Sequence, residues 1–235
     1  RLRTFVKPGI STLEIDQEVD AFLLSRGAQP AFKGYRGFPA TVCASINEEV
    51  VHGIPSAGRR VKEGDIIGLD LGCVVEGYYA DAAFTLAVGE IPPRVEELLN
   101  VTRESLYKGI AQCRPGRRLG DLSHAIQRHV EAHGFSVVRA FVGHGIGLAL
   151  HEDPQVPNFG EPGRGPLLKA GMVLAIEPMV AMGSYEVRIL PDRWTAVTED
   201  GSWAAHFEHT IAITEHGPEI LTAPEDDHVQ TTTTA

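Results

Sequence analysis

The stretch Lys7-Pro8-Gly9-Ile10-Ser11-Thr12-Leu13-Glu14-Ile15, running on to Gly27, is echoed 107 residues later by Arg114-Pro115-Gly116, running on to Gly134. Each stretch opens on a basic residue followed by Pro-Gly. Each continues into a helical pattern, with Ile15, Val19 and Leu23 in the first and Leu122, Ile126 and Val130 in the second. Apolar residues four apart give each helix one buried stripe. Ser11-x-x-Glu14 predicts a capping box at the first helix. Gly27 and Gly134 stand where a helix ends on a left-handed residue. Chance similarity between two amphipathic helices does not account for one constant offset across all these positions. The echo therefore predicts a duplicated α/β module, two related halves closing around a shared centre.

Between and after these helices the pattern turns to strands. Ile66–Leu71 and Tyr78–Val88 flank Glu76-Gly77, a two-residue hairpin turn. Further strands are expected at Met172–Ile176, Glu186–Leu190, Trp194–Val197 and Phe207–Thr214, and a third helix at Arg94–Gly109. No stretch has linker composition, so one catalytic unit over 1–223 is expected, with halves near 1–110 and 111–223. The tail 224–235 ends in a run of threonines and is expected to fray or to be vector-derived.

The chain has 235 residues, 43% of them apolar and 22% charged, enough to bury a sizeable core. Asp plus Glu number 31 against 21 Lys plus Arg, a net charge of -10. Nucleic-acid binders carry the opposite excess, so direct nucleic-acid binding is not expected. Solubility explains most of the acidity; the sharper reading is that some carboxylates gather around cations. Cys43, Cys73 and Cys113 are odd in number and widely spaced, which points to a reducing cytoplasm. Neither a signal peptide nor a membrane span is expected. The first residue is Arg1, so a trimmed chain is expected, short of part of a first helix.

The chemistry starts with Asp70 and Asp81, one on each arm of the predicted hairpin. A carboxylate inside an apolar strand is costly to bury without a partner. A two-residue turn sets Gly72 opposite Asp81, and Asp70 shares that face two residues along. Diagonal neighbours stand about 7–8 Å apart, within bridging reach of a cation. Glu177 and Glu208 are also embedded in apolar strand-like runs, Met172–Met179 and Phe207–Ile213. Four such acids call for a shared counter-charge, which two divalent cations supply; oxygen-rich ligation suits Mn, Fe or Co.

A histidine completes such a set, and His144 in Gly143-His144-Gly145-Ile146-Gly147 is the best placed. The glycines let backbone approach closely. No Lys-Ser/Thr follows them, which argues against a phosphate loop. His52 and His151 could be ligands, proton-transfer groups or packed core histidines. His129 and His133 have helical zinc spacing but lack the glutamate of H-E-x-x-H, so packing or surface roles are expected. His206 and His209 flank Glu208 and are expected to turn away from it.

These residues resemble the five-ligand dinuclear site of the methionine aminopeptidases. The supporting strings are Ser45-Ile46-Asn47-Glu48, Val51-His52-Gly53-Ile54-Pro55, the glycine string around His144, His151-Glu152-x-Pro154, Ile176-Glu177-Pro178-Met179 and Phe207-Glu208-His209-Thr210. The likeness runs from about Lys7 to Leu221, and the ligand spacing leaves no room for the insertion of the type 2 enzymes, so type 1 is implied.

The resemblance implies an α/β (α+β) pita-bread fold, with a central antiparallel-rich sheet covered by helices. It implies two divalent ions, Co, Mn, Fe or Zn, with Asp81 and Glu208 bridging, Asp70 on one, and His144 and Glu177 on the other. It makes Glu177 the proton shuttle, His151 a donor to the scissile carbonyl and His52 a contact for the departing nitrogen. It lines a methionine slot with Tyr35, Phe38, Cys43, Val51, Leu150 and Trp194. The implied activity is removal of initiator methionine from nascent proteins by a cytoplasmic monomer, with ribosome association left open.

The chain departs from the family pattern at Val51 (often Cys), at Leu150 (often Phe) and at Ala80-Asp81-Ala82 (usually Gly-Asp-Thr). Competing readings are an X-Pro aminopeptidase or prolidase of the same fold, a non-catalytic protein-binding module, and a phosphate-binding enzyme. Retention of all five ligands speaks against the last two.

Overall fold

The computed structural model describes residues 1–223; the tail expectation for 224–235 lies outside the described residues. The two echoed segments form helices α1 (Thr12–Ser25) and α3 (Leu119–Ala132), and α2 (Pro93–Ile110) lies between them. α1 and α3 are both 14 residues long. The Ser11 hydroxyl accepts from the Glu14 amide while the Glu14 carboxylate accepts from Ser11, so the predicted capping box is formed. α3 lacks a hydroxyl cap, and there the Asp121 carboxylate accepts the Arg118 N–H at 2.9 Å. Gly27 (φ 74°) and Gly134 (φ 71°) adopt the left-handed conformation at the two helix ends.

Both stripes are buried. Ile15, Val19 and Leu23 pack with Val42, Ala44, Ile67 and Leu69. Leu122, Ile126 and Val130 pack with α2 residues Leu98 and Leu106 and with Leu174, Ile176 and Ile211. Each helix thus shields one sheet from water, and burial of apolar surface holds the layers together.

The first sheet is built on the hairpin of β2 (Ile66–Val75) and β3 (Tyr78–Ala87), whose other edge carries β1 (Val42–Ile46) and the short strand Gln29–Pro30. The hairpin register is unbroken from Ile66↔Ala87 to Val75↔Tyr78, with Gly72 opposite Asp81 as expected. Glu76 (φ 51°) and Gly77 (φ 86°) form its turn, and two positive φ values match the twist of the flanking strands.

The second sheet has five strands. β4 (Gly143–Gly145), β5 (Glu152–Val156), β6 (Val173–Ile176), β9 (His209–Thr214) and β10 (Gly217–Ile220) stand in the order β10-β9-β6-β4-β5. β7 (Met179–Ala181) and β8 (Ala204–His206) pair in a third sheet. A fourth joins Glu49–Val51, Val187–Ile189 and Ala196–Thr198. The expected run Phe207–Thr214 is therefore interrupted: β8 ends at His206 and β9 starts at His209, leaving Phe207 and Glu208 between two sheets. No helix among the described residues is long and apolar enough to cross a membrane.

Candidate metal centre and substrate cavity

β2 and β3 bring Asp70 and Asp81 to one face of the hairpin because Asp70 lies two residues from Gly72, the cross-strand partner of Asp81. The second sheet supplies the rest by interruptions of its ladder. His144 sits at a register shift between β4 and β5. A Cβ at Gly143 would collide with the Ala175 carbonyl oxygen, and one at Gly145 with that of Asp153. The glycine string is thus a close approach of backbones that turns the imidazole inward, not a phosphate cradle. Glu177 follows the last residue of β6 and precedes Pro178, so its carbonyl has left the ladder; the Asn158 amide donates to it at 3.0 Å.

A seam of hydrogen bonds joins β3 to the chain around Glu208. The Glu208 amide donates to Ala83 O at 2.8 Å. The Asp81 amide donates to the Thr210 hydroxyl, which donates back to Asp81 O. Thr85 exchanges the same pair of bonds with the His206 backbone. The seam places Asp81 and Glu208 together although they lie far apart in sequence.

All five residues line one cavity of about 150 Å³. Asp81, His144 and Glu208 each offer a ligand atom within 4.8 Å of the others. His144 Nε2 is 3.6 Å from Glu177 Oε1 and 4.0 Å from Asp81 Oδ2. His144 Nδ1–H donates to Gly145 O at 2.9 Å, which leaves the Nε2 lone pair facing the carboxylates.

The electrostatics of this cluster are those of a site built for cations. Burial pushes Asp81 up to about 7. Asp70, Glu177 and Glu208 are raised too, by burial and then by the charge of Asp81. Asp70 Oδ1, Asp81 Oδ1 and Glu208 Oε1 are buried with no hydrogen-bond partner among the described residues. Divalent cations remove both penalties at once, since they neutralise the repulsion and take up the orphaned oxygens. The donor set of four carboxylates and one imidazole fits such ions.

Aromatic groups surround the cluster. The His151 ring stacks on Tyr35 with centroids 5.2 Å apart and lies 4.1 Å from that of His144. His52 meets Phe141 and Trp194 edge-on. Burial pushes His52 and His151 down to about 4, so both imidazoles are neutral at neutral pH. Tyr35, Phe38, Cys43, Leu150 and Trp194 line the cavity.

Val51 does not. It is buried with Met179, Ala181 and Ala196 in a separate core, because the strand Glu49–Val51 pairs with Ala196–Thr198 and the chain turns at His52 (φ 61°). His52 enters the cavity in its place. His206 is a second correction. It is only 3% exposed and its Nε2 lies 3.6 Å from Glu177 Oε2. Residues 206 and 208 are two apart, which on extended chain turns both the same way; that spacing was the available signal. Phe32 and Arg36 also line the cavity without having been singled out from sequence, and Asn158 carried no motif at all. His129 on α3 faces His133 just past the end of the helix, and His129 Nε2 lies 3.1 Å from Glu104, away from the cluster.

The sequence profile described as metallopeptidase family M24 matches residues 1–215. Methionine aminopeptidase 1 of Bacillus subtilis is 57% identical over 221 residues, 94% of this chain and 89% of that protein. The crystal structure of methionine aminopeptidase from Thermotoga maritima superposes with a TM-score of 0.94 at 52% identity, covering 95% of this chain and 90% of the other. Xaa-Pro dipeptidase from Bacillus anthracis, 23% identical, covers 94% of this chain and 55% of its own; its TM-score of 0.73 shows a shared fold. With likeness of this extent laid over the buried acid–imidazole cluster, the chain belongs to metallopeptidase family M24 and, within it, to the type 1 methionine aminopeptidases.

Proposed function

We propose that this chain removes the N-terminal methionine of peptides and nascent proteins by hydrolysis, using two divalent cations in the described cluster. In this reading Asp81 and Glu208 hold both ions, Asp70 one of them, and His144 and Glu177 the other. When bound, the ions supply Lewis acidity for the scissile carbonyl and make water a stronger nucleophile near neutral pH. The protein's own groups do the rest. Asp70 favours a cationic α-amine and so restricts cleavage to the first residue. Glu177 carries a proton at its carboxylate from the nucleophile to the departing amine. His151, a neutral donor, offers an N–H to the developing charge on the carbonyl oxygen. His52 contacts the peptide nitrogen. The Phe38, Tyr35 and Trp194 rings receive the thioether, for which sulfur–aromatic contacts are favourable.

One observation carries the proposal: the residues that hold the orphaned buried carboxylate oxygens line the same cavity as the aromatic slot. We further read residues 1–223 as one catalytic unit acting as a monomer in the cytoplasm, supported by three unpaired cysteines. The test is metal content measured alongside cleavage of Met-Gly-type and X-Pro peptides. Two ions per chain with preference for Met-Gly is expected; preference for X-Pro overturns the assignment.

A further inference from the structure

Arg36 is the one lysine or arginine among the residues that line the cavity. It sits at the tip of a tight turn, Tyr35–Gly37, with left-handed backbone (φ 49°, ψ 21°). That conformation is unusual for a residue with a Cβ and persists only where the surroundings hold it. Here Gly34 N–H donates to Phe38 O at 2.8 Å and Phe38 N–H to Tyr35 O at 2.9 Å, which close the turn. The side chain is exposed, and its guanidinium carbon lies 5.4 Å from the centre of the Tyr35 ring.

Tyr35 in turn stacks on His151, and the His151 ring lies tilted 4.1 Å from that of His144, so a chain of rings leads from the acid cluster to the exposed Arg36 and ends on a positive charge. Among the described residues no carboxylate pairs with the guanidinium. The nearby Lys33 differs, since its ammonium is 3.1 Å from Asp20. A guanidinium stacked on a ring keeps its in-plane N–H donors free, in the fork that matches a carboxylate.

We propose that Arg36 is a specificity-determining residue that pairs with a carboxylate downstream of the methionine, on the second or third residue after it. The inference rests on the methionine aminopeptidase reading, which sets the scissile carbonyl at His151. Two ring spacings, 5.2 and 5.4 Å, separate the guanidinium from there and together bound its distance from the His151 ring. Extended peptide advances about 3.3 Å per residue, so the second and third residues reach that distance. The chemistry recognised is an acidic side chain or, in a short peptide, the C-terminal carboxylate.

The test is kcat/KM of the metal-loaded enzyme on Met-Ala-Asp-Asp-Ala, Met-Ala-Lys-Lys-Ala and Met-Ala-Ala-Ala-Ala as amides, with Met-Ala-Ala as free acid and as amide. The wild type should favour the aspartyl over the lysyl peptide by roughly three- to tenfold, through KM, and less at high salt, as for an exposed ion pair. Arg36→Ala should bring the ratio close to one and Arg36→Glu should invert it. Both replacements keep a Cβ at this φ, so the turn is under the same backbone demand. A ratio unchanged across the three proteins overturns the inference while leaving the activity standing. Absence of cleavage of every Met peptide by metal-loaded wild type overturns the parent reading instead. A preference seen for the free acid over the amide, with no difference between aspartyl and lysyl peptides, assigns Arg36 to the C-terminus of short peptides and overturns the side-chain form.

Discussion

The hairpin β2–β3 and the second sheet both deliver carboxylates to one cavity, by opposite means. In the hairpin the ladder is regular, and Asp70 and Asp81 share a face by simple alternation. In the second sheet each ligand stands where regularity fails: His144 at a register shift, Glu177 before Pro178, Glu208 between two strands. A regular ladder is cheap to build and tolerant. An interrupted one can aim a side chain off the pleat, but it leaves backbone groups that need other partners, here Asn158 for Glu177, Ala83 for Glu208 and Thr85 for His206.

The largest expected effect tests whether the two regions form one centre. Asp81→Ala from the hairpin and Glu208→Ala from the other side should each lower kcat/KM on Met peptides by at least about 10³-fold, since the charge stabilisation at stake is several kcal/mol. Both should weaken metal binding in calorimetry. Near-normal turnover in either variant would break the shared-centre reading.

Next comes the tolerance of the two ladders. Gly145→Ala should destabilise the protein by at least about 2 kcal/mol in denaturant unfolding, because its Cβ meets the Asp153 carbonyl oxygen. Gly68→Ala in the hairpin, where the nearest atom to a Cβ is the Thr85 hydroxyl at 3.6 Å, should cost less than about 1 kcal/mol. Equal costs would remove the contrast.

A third expectation concerns protons. Asp81 is raised to about 7, and Asp70, Glu177 and Glu208 are raised as well, so at about pH 6 the metal-free cluster holds protons that ligation must expel. Binding of Mn²⁺ should therefore release more protons at about pH 6 than at about pH 8, where fewer remain. Calorimetry in buffers of different ionisation enthalpy reads the number; equal release at both values would show that these acids are not the ligands.

The smallest effect separates the repeat helices. Ser11→Ala removes the hydroxyl cap of α1 and should cost about 1 kcal/mol, read as a lowered Tm. α3 has no such hydroxyl, so Arg118→Ala at the equivalent position should leave its cap intact, because the Asp121 carboxylate bonds to the backbone there.

Legibility in the sequence follows the same divide. The capping box, the glycine stops, the Glu76-Gly77 turn and the Gly72–Asp81 pairing are all observed as expected. Each rests on a local period or a local hydrogen bond. Asp70, Asp81, Glu177 and Glu208 are conspicuous because an acid in an apolar run is costly to bury, and His144 because glycines flank it. The misreadings fall at interruptions. His206 was expected to point away, yet it reaches Glu177. Val51 was expected in the methionine slot, yet the turn at His52 sends it into another core.

What the sequence by itself determined is the inventory: two related helices, one hairpin with its register, and four acids with a histidine that require cations. Backbone periodicity and the cost of burying charge are local properties, so they can be read locally. What only the tertiary structure decided is the meeting of these parts. The Thr210–Asp81 and Thr85–His206 bonds join residues 129 and 121 positions apart, and the rings leading to Arg36 bring the Tyr35–Gly37 turn against His144 of β4 and His151. Contacts of that range have no period along the chain. They exist only once the sheets have packed and each unpaired backbone group has found its partner.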